Sequence, residues 1–340
     1  MTTLTREPAH AAPAGPTRKH VMPRLGGTVW LVWRQHRAAF WTIIAATLVG
    51  VAAMLYLRGQ MMDFLGTQEP TARRSGGLPA EFETHVDRLL SIGSYLGYIP
   101  VLAGVLLGAP LIAGDLESGT AKLVTSQSVS RLRWLTTKLA VPAVMLALST
   151  GVLTAVLTRW WGPVKGLSEG LNWTSLFSVT GVVPVAYALL TFTVGVAVGL
   201  LLRRTLVSMV VTLGIVVAME FLWSEVWRSL GHVMSINTDQ GVGPGQVPPE
   251  LPAEAEQQGQ GTYFLTGSGD RLDWMTCLDK IENDRAHAAC LQSKDVIGWS
   301  IDYLPVTQMQ TMQWLGAGLM LTITAAVVAF ILTWGRKRLL

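Results

Sequence analysis

The sequence predicts an all-α membrane protein with six transmembrane helices, and three observations carry that reading. Half of the 340 residues are hydrophobic and only 14% are charged, whereas soluble domains carry about 25%. The apolar residues gather into six runs. At about 1.5 Å per residue each is long enough to cross a hydrocarbon core of about 30 Å. The Lys and Arg residues collect on one side of those runs, as the positive-inside rule requires.

Residues 1–26 are rich in Ala, Pro and Thr and carry Arg6, Arg18, Lys19 and Arg24. No apolar stretch there leads to a small-residue cleavage site, so a disordered basic tail is predicted in place of a signal peptide. Residues 27–340 form the six-span domain. Gly27–Phe40 sets Val29, Trp30, Val32 and Trp33 beside Arg34, His36 and Arg37. That stretch is either an amphipathic interfacial helix or the flank of the first span. The spans are predicted near residues 40–57, 96–113, 139–157, 177–202, 206–223 and 312–334. Pro100, Pro110, Pro142 and Pro184 lie in or near them and are expected to kink the helices without breaking them, since neighbours can satisfy the freed carbonyls.

Orientation follows from charge. With the N-terminus inside, the cytoplasmic segments hold 15 Lys and Arg against three acids, Glu7, Asp115 and Glu117, and the rest holds 11 against 19. Both termini are therefore expected in the cytoplasm. The formal charge of +4 is then a membrane asymmetry, and a nucleic-acid partner is not needed to explain it.

Three loops are left outside. The first, 58–95, includes LPAEFETHVDRLL, predicted as a helix near the outer surface. The second, 159–173, carries Trp160, Trp161 and Trp173 at an expected interface. The third, 224–311, is a large extracytoplasmic loop with room for a small folded cap. Its middle, GVGPGQVPPELPAEAEQQGQG, is turn-rich and expected to be flexible. Cys277 and Cys290 follow it, and an even pair on an outer face reads as a disulfide. Two free thiols are the alternative.

Between the second and third spans lies GDLESGTAKLVTSQSVSRLRWLTTK, Gly114 to Lys138. It is polar and longer than a tight turn. Lys122, Arg131, Arg133 and Lys138 outnumber Asp115 and Glu117 there. With the residues before it, APLIAGDLESGTAKLVTSQSVSRLRWLTTK resembles the end of the second span and the cytoplasmic segment of type-2 ABC transporter permeases. The family pattern is a small residue, an acid-x-acid pair, Gly-Thr, a hydrophobic residue and a Ser-Arg step. Here these are Gly114, Asp115, Glu117, Gly119, Thr120, Leu123, Ser130 and Arg131, with Asp115 where the family commonly has Glu. Trp33 to Arg37, Gly181 to Pro184 with Ala186-Tyr187, Arg203-Arg204 and Tyr303 to Pro305 are similar to an actinobacterial branch of such permeases. The aromatic pattern usual after that last proline is replaced by Gln308, Gln310 and Gln313.

The resemblance implies a multi-pass protein of the bacterial plasma membrane, working as a homodimer or heterodimer of permeases with separate ABC ATPase subunits. No GxxxxGK[ST] loop is present to cradle phosphates. The chain is expected to be non-catalytic, without a cofactor of its own, with ATP and Mg²⁺ on the partner. A short cytoplasmic coupling helix between spans 2 and 3 is expected to dock on that partner. In this reading Gly114 and Gly119 permit sharp turns, Asp115 and Glu117 cap the helix N-terminus and pair with basic residues of the partner, Leu123 and Val124 supply apolar contact, and Thr120 and Lys122 belong to the same coupling site. Glu117 is then either a transmission residue or only a helix cap. Lys138, at the far end, is expected to anchor the third span to anionic headgroups.

Glu220 is the only carboxylate well inside a predicted span. It either faces the substrate path or snorkels outward from a span that ends early. Gly104-x-x-x-Gly108 and Gly195-x-x-x-Gly199 fit small-xxx-small packing within the chain. His85, His232 and His287 are scattered, so no metal site is predicted, and no nucleophile with a base is visible on the spans. The resemblance implies export, and the apolar interior with little charge favours a lipophilic or amphiphilic compound, such as a drug or antibiotic, over an ion or sugar. A membrane-bound sensor or scaffold is the other class, and an ATPase that copurifies with the chain separates the two.

Overall fold

The structure, a computed structural model, describes residues 27–69, 78–119, 130–168, 171–239, 241–242, 248–252, 254–280 and 283–338. A separate first helix, α1 (Thr28–Gln35), ends at His36 and precedes α2 (Arg37–Thr67). Then come α3 (Glu81–Glu117) and α4 (Arg131–Trp161). The short α5 (Trp173–Leu176) leads to α6 (Val183–Leu202) and α7 (Thr205–Val226). After a small sheet domain, α9 (Met309–Arg338) closes the chain. Among the described residues, six helices are long and apolar enough to cross a membrane.

The proline positions explain the shape of two of them. Pro110 has no N–H for the carbonyl four residues back, and the preceding turn, Ala103–Gly108, widens to π geometry within the otherwise continuous α3. Pro142 sits inside α4, which continues through it to Trp161. It has no N–H to return to the Lys138 carbonyl.

The helices are arranged around α6. Its composition permits this: Ala186, Ala188, Gly195 and Gly199 let neighbouring backbones approach. In α6, 72% of the central stretch is buried, against 11% in α2. The two glycine motifs meet each other. A Cβ on Gly195 would stand 2.2 Å from the Gly104 carbonyl oxygen, and one on Gly108 would stand 2.3 Å from that of Phe192. The seam between α3 and α6 therefore excludes any larger residue.

Two apolar clusters fill the bundle. The one nearer the chain termini gathers Ile112, Trp134, Leu135, Phe192, Leu200 and Ile331. The one at the opposite end gathers Met61, Phe82, Leu157, Trp160, Trp173 and Phe177. The predicted interfacial tryptophans belong to this core: Trp160 is 1% exposed and Trp173 fully buried. Their indoles are used inside, since Trp160 Nε1–H donates to Met61 Sδ at 3.1 Å and Trp161 Nε1–H to the Leu171 carbonyl at 3.1 Å. The expected surface helix around 78–90 is likewise the first part of α3, continuous with the second span.

The all-α expectation needs amending. Met234–Thr238 (β1), Glu256–Thr266 (β2), Arg271–Asp273 (β3) and Val296–Leu304 (β4) form an antiparallel sheet in the order β1-β4-β2-β3. Helix α8 (Asp284–Ser293) precedes β4. The β4 run, VIGWSIDYL, alternates apolar and polar residues over much of its length, the period of a half-buried strand. The segment expected to be flexible ends in β2, which pairs with β4 from Glu256↔Leu304 onward. Cys277 and Cys290 form a disulfide that ties the turn after β3 to α8. Phe264 and Leu291 pack beside it. The domain rests on the loop after α4 through a Lys165–Glu254 ion pair at 2.7 Å and a hydrogen bond between Asn172 and Glu256.

Candidate functional site

At the termini end, three helices meet in one polar cluster. Ser130 caps α4 by accepting from the Arg133 N–H, so the helix starts there with Trp134 and Lys138 one turn apart on one face. Lys138 is fully buried, with its ammonium 5.1 Å from the Trp134 ring centre. It pairs with Asp115 Oδ2 from the last turn of α3. The other carboxylate oxygen, Oδ1, accepts from Gln35 Nε2 at 2.8 Å, at the end of α1. A charge taken out of water this fully must be paired to persist. Here the pairing joins α1, α3 and α4 at one point.

His36 follows Gln35, and its Nε2 is buried without a hydrogen-bond partner among the described residues. Burial, reinforced by the Lys138 cation and opposed in part by Asp115, holds this imidazole below its ordinary pKa. The site keeps it neutral.

Glu117 has a different role from Asp115. It is exposed, and Oε2 accepts from the Thr205 backbone N–H at 2.8 Å. Arg204, the N-cap of α7, offers no side-chain bond of its own to the helix start. The first N–H groups of a helix lack intrahelical partners and favour a negative group, and Glu117 of α3 supplies one. The start of span 5 is thereby tied to the end of span 2.

These contacts correct the sequence reading at four positions. Gly114 lies within α3 and makes no turn; Gly119, with φ at +73°, makes it one residue past the helix cap. Asp115 is buried, so its charge is used within the chain and is not offered to a partner. Glu117 caps α7, not the start of a short helix after Gly119. Lys138 is an interior group and does not reach headgroups. Thr120, Lys122 and Leu123, and with them the expected coupling helix, fall in residues 120–129, outside the described residues. Both Asp115 and Lys138 flank that segment. Sequence reasoning missed Gln35 and Trp134 as members of the cluster. The Trp33–Arg37 string was the available signal for Gln35; nothing local marked Trp134.

At the other end Glu220 lies on α7, which runs six residues past it to Val226. The helix itself therefore does not end before Glu220. The carboxylate lines a groove of about 460 Å³ between α3 and α7. It is not brought near Asp115 or Glu117.

The family model described as ABC-2 membrane transporter related matches residues 44–228, more than half of the chain, from the first candidate span through the fifth. The chain belongs to that family. It is a membrane permease of the ABC transporter kind, and membership implies association with ABC ATPase subunits. The match takes in Asp115, Glu117, Lys138 and Glu220 and stops before β1, so the sheet domain lies beyond it. No curated protein and no solved structure gives a significant match.

Proposed function

We propose that the chain is the transmembrane half of an ATP-driven exporter, and that the Gln35–Asp115–Lys138 cluster with the Glu117–Thr205 cap is where partner motion enters the bundle. The observation that carries this is the joining of α1, α3, α4 and α7 by those two contacts on either side of residues 120–129. A push on that segment would load the ends of α3 and α4 together. Through Glu117 it would reach α7, while the close-packed α3–α6 seam leaves little slack. The end bearing both termini is cytoplasmic, and the sheet domain with its disulfide faces the oxidising side.

ATP and Mg²⁺ bind the partner ATPase, and this chain contributes no catalytic group. Two permease chains, identical or different, complete the transporter. The cargo is a lipophilic or amphiphilic compound taken from the cytoplasm or the inner leaflet. The lining between the helices supports this class: a second cavity of about 370 Å³ among α2, α3 and α4 is walled chiefly by Ala, Ile and Leu. The protein is expected to reside in a bacterial plasma membrane, in the actinobacterial branch its motifs resemble.

The test is copurification with the ATPase encoded with it, followed by ATPase stimulation in nanodiscs across a panel of amphiphiles. Glu117→Gln keeps an acceptor for Thr205 and is expected to retain stimulation, whereas Glu117→Ala loses it. Full stimulation with Glu117→Ala would remove Glu117 from the transmission path. Failure to hold any ATPase subunit would overturn the exporter reading itself.

A further inference from the structure

The geometry points to a binding site for an amphiphilic cation in the α3–α7 groove, with Glu220 as its counter-ion. The inference rests on the exporter reading and narrows its cargo from amphiphiles in general to positively charged ones.

Two facing stripes build the groove. Residues 98 and 101 lie on one face of α3, and residues 217, 220, 221 and 224 lie on one face of α7, each set following helical spacing. Val101, Val217 and Ser224 line the groove together with Glu220. Tyr98 and Phe221 line the same groove. These aromatics are 61% and 72% exposed, so their faces are free to meet a ligand.

Among the described residues the carboxylate has no counter-charge: the ion pairs involve Lys138, Lys165, Arg271 and Lys280, and none involves Glu220. Its neighbour on α6 is the buried Tyr187 hydroxyl, a polar partner that brings no positive charge. By the helical rise, Glu220 is about 22 Å from the start of α7 and about 9 Å from its end, which leaves it within the hydrocarbon depth. A carboxylate without a counter-charge there is costly. A ligand that brings a delocalised positive charge on an apolar, aryl-sized body offsets that cost: the charge meets Glu220, the body meets the valines, and the cation sits against aromatic faces. A neutral amphiphile would leave the carboxylate without a counter-charge, and an anion would be repelled.

The experiment is equilibrium binding of tetraphenylphosphonium to the full chain in nanodiscs, with triphenylphosphine oxide as the neutral aryl probe. Saturable binding of the cation is expected, with weak competition by the neutral probe. Glu220→Gln should lower cation affinity at least about tenfold, and Glu220→Asp should retain most of it. Phe221→Ala, at an exposed position that folding tolerates, should lower it by several fold, as expected for loss of an aromatic face. Unchanged cation affinity in Glu220→Gln or in Phe221→Ala would overturn the proposal. So would equal competition by the neutral probe. Loss of self-association in Glu220→Gln with cation affinity intact would overturn it too, assigning the groove to a second copy. The assay needs no ATPase, so a failed copurification would sink the exporter reading while leaving this site standing or falling by itself.

Discussion

Removing Asp115 should be among the most damaging single substitutions in the bundle, and the structure says by how much. Lys138 is fully buried, and its carboxylate partner's side chain is 11% exposed. At an effective dielectric of about 20, unit charges about 4 Å apart attract by about 4 kcal/mol. Truncating one partner of such a pair costs about 3–5 kcal/mol, because the remaining charge stays buried and uncompensated. Asp115→Ala also frees Gln35, which donates to Oδ1 at 2.8 Å. The assay is denaturant unfolding of the purified chain in mild detergent. We expect Asp115→Ala to be less stable by about 3–5 kcal/mol. The double variant Asp115→Leu with Lys138→Met should recover most of the loss, since a well-packed apolar pair often replaces a buried ion pair without penalty. The reasoning is refuted if Asp115→Ala costs under about 1 kcal/mol, the scale of an exposed pair, or if the double variant is no better than the single one. A stable double variant that no longer supports ATPase stimulation would separate the cluster's role in coupling from its role in folding.

Three other outcomes are expected. Gly195→Ala places a methyl 2.2 Å from the Gly104 carbonyl oxygen, so unfolding midpoints should fall by the equivalent of about 1–3 kcal/mol; Gly214→Ala, with open space around it, should be neutral or stabilising as helix propensity dictates. Stability should decline as pH falls below about 6.5, the unfolded value for His36, because the folded site holds this imidazole below that value and the unfolded chain binds the proton first; His36→Gln should flatten that slope in pH-dependent unfolding. Reduction, or Cys277→Ser with Cys290→Ser, opens a loop of sequence separation 13; loops of that size are worth about 3 kcal/mol in the chain-entropy model. Faster proteolysis within 234–304 and unchanged helix content would report the loss.

Much of the bundle was legible because a hydrocarbon solvent leaves few options. Backbone groups must pair within the span, so apolar runs of sufficient length become helices, and all six appear close to where composition sets them. The glycine motifs were legible too, though their meeting across one seam was not. The sheet domain was signalled locally: TYFLT, then GSGD, then RLD has the turn-flanked, β-branched and aromatic pattern of a hairpin. That signal is masked by the preceding twenty residues, of which eight are proline or glycine.

By itself the sequence determined six spans, a charge asymmetry along the chain and a polar segment after the second span, since these depend on local composition and on the solvent around each residue. Only the tertiary structure decided which charges are spent inside the protein. Asp115 and Glu117 are two residues apart in one helical turn and look alike in sequence, yet one is buried against Lys138 and the other caps α7. The reason is angular: two residues along a helix point about 200° apart, so adjacent acids face different neighbours, and those neighbours come from distant parts of the chain.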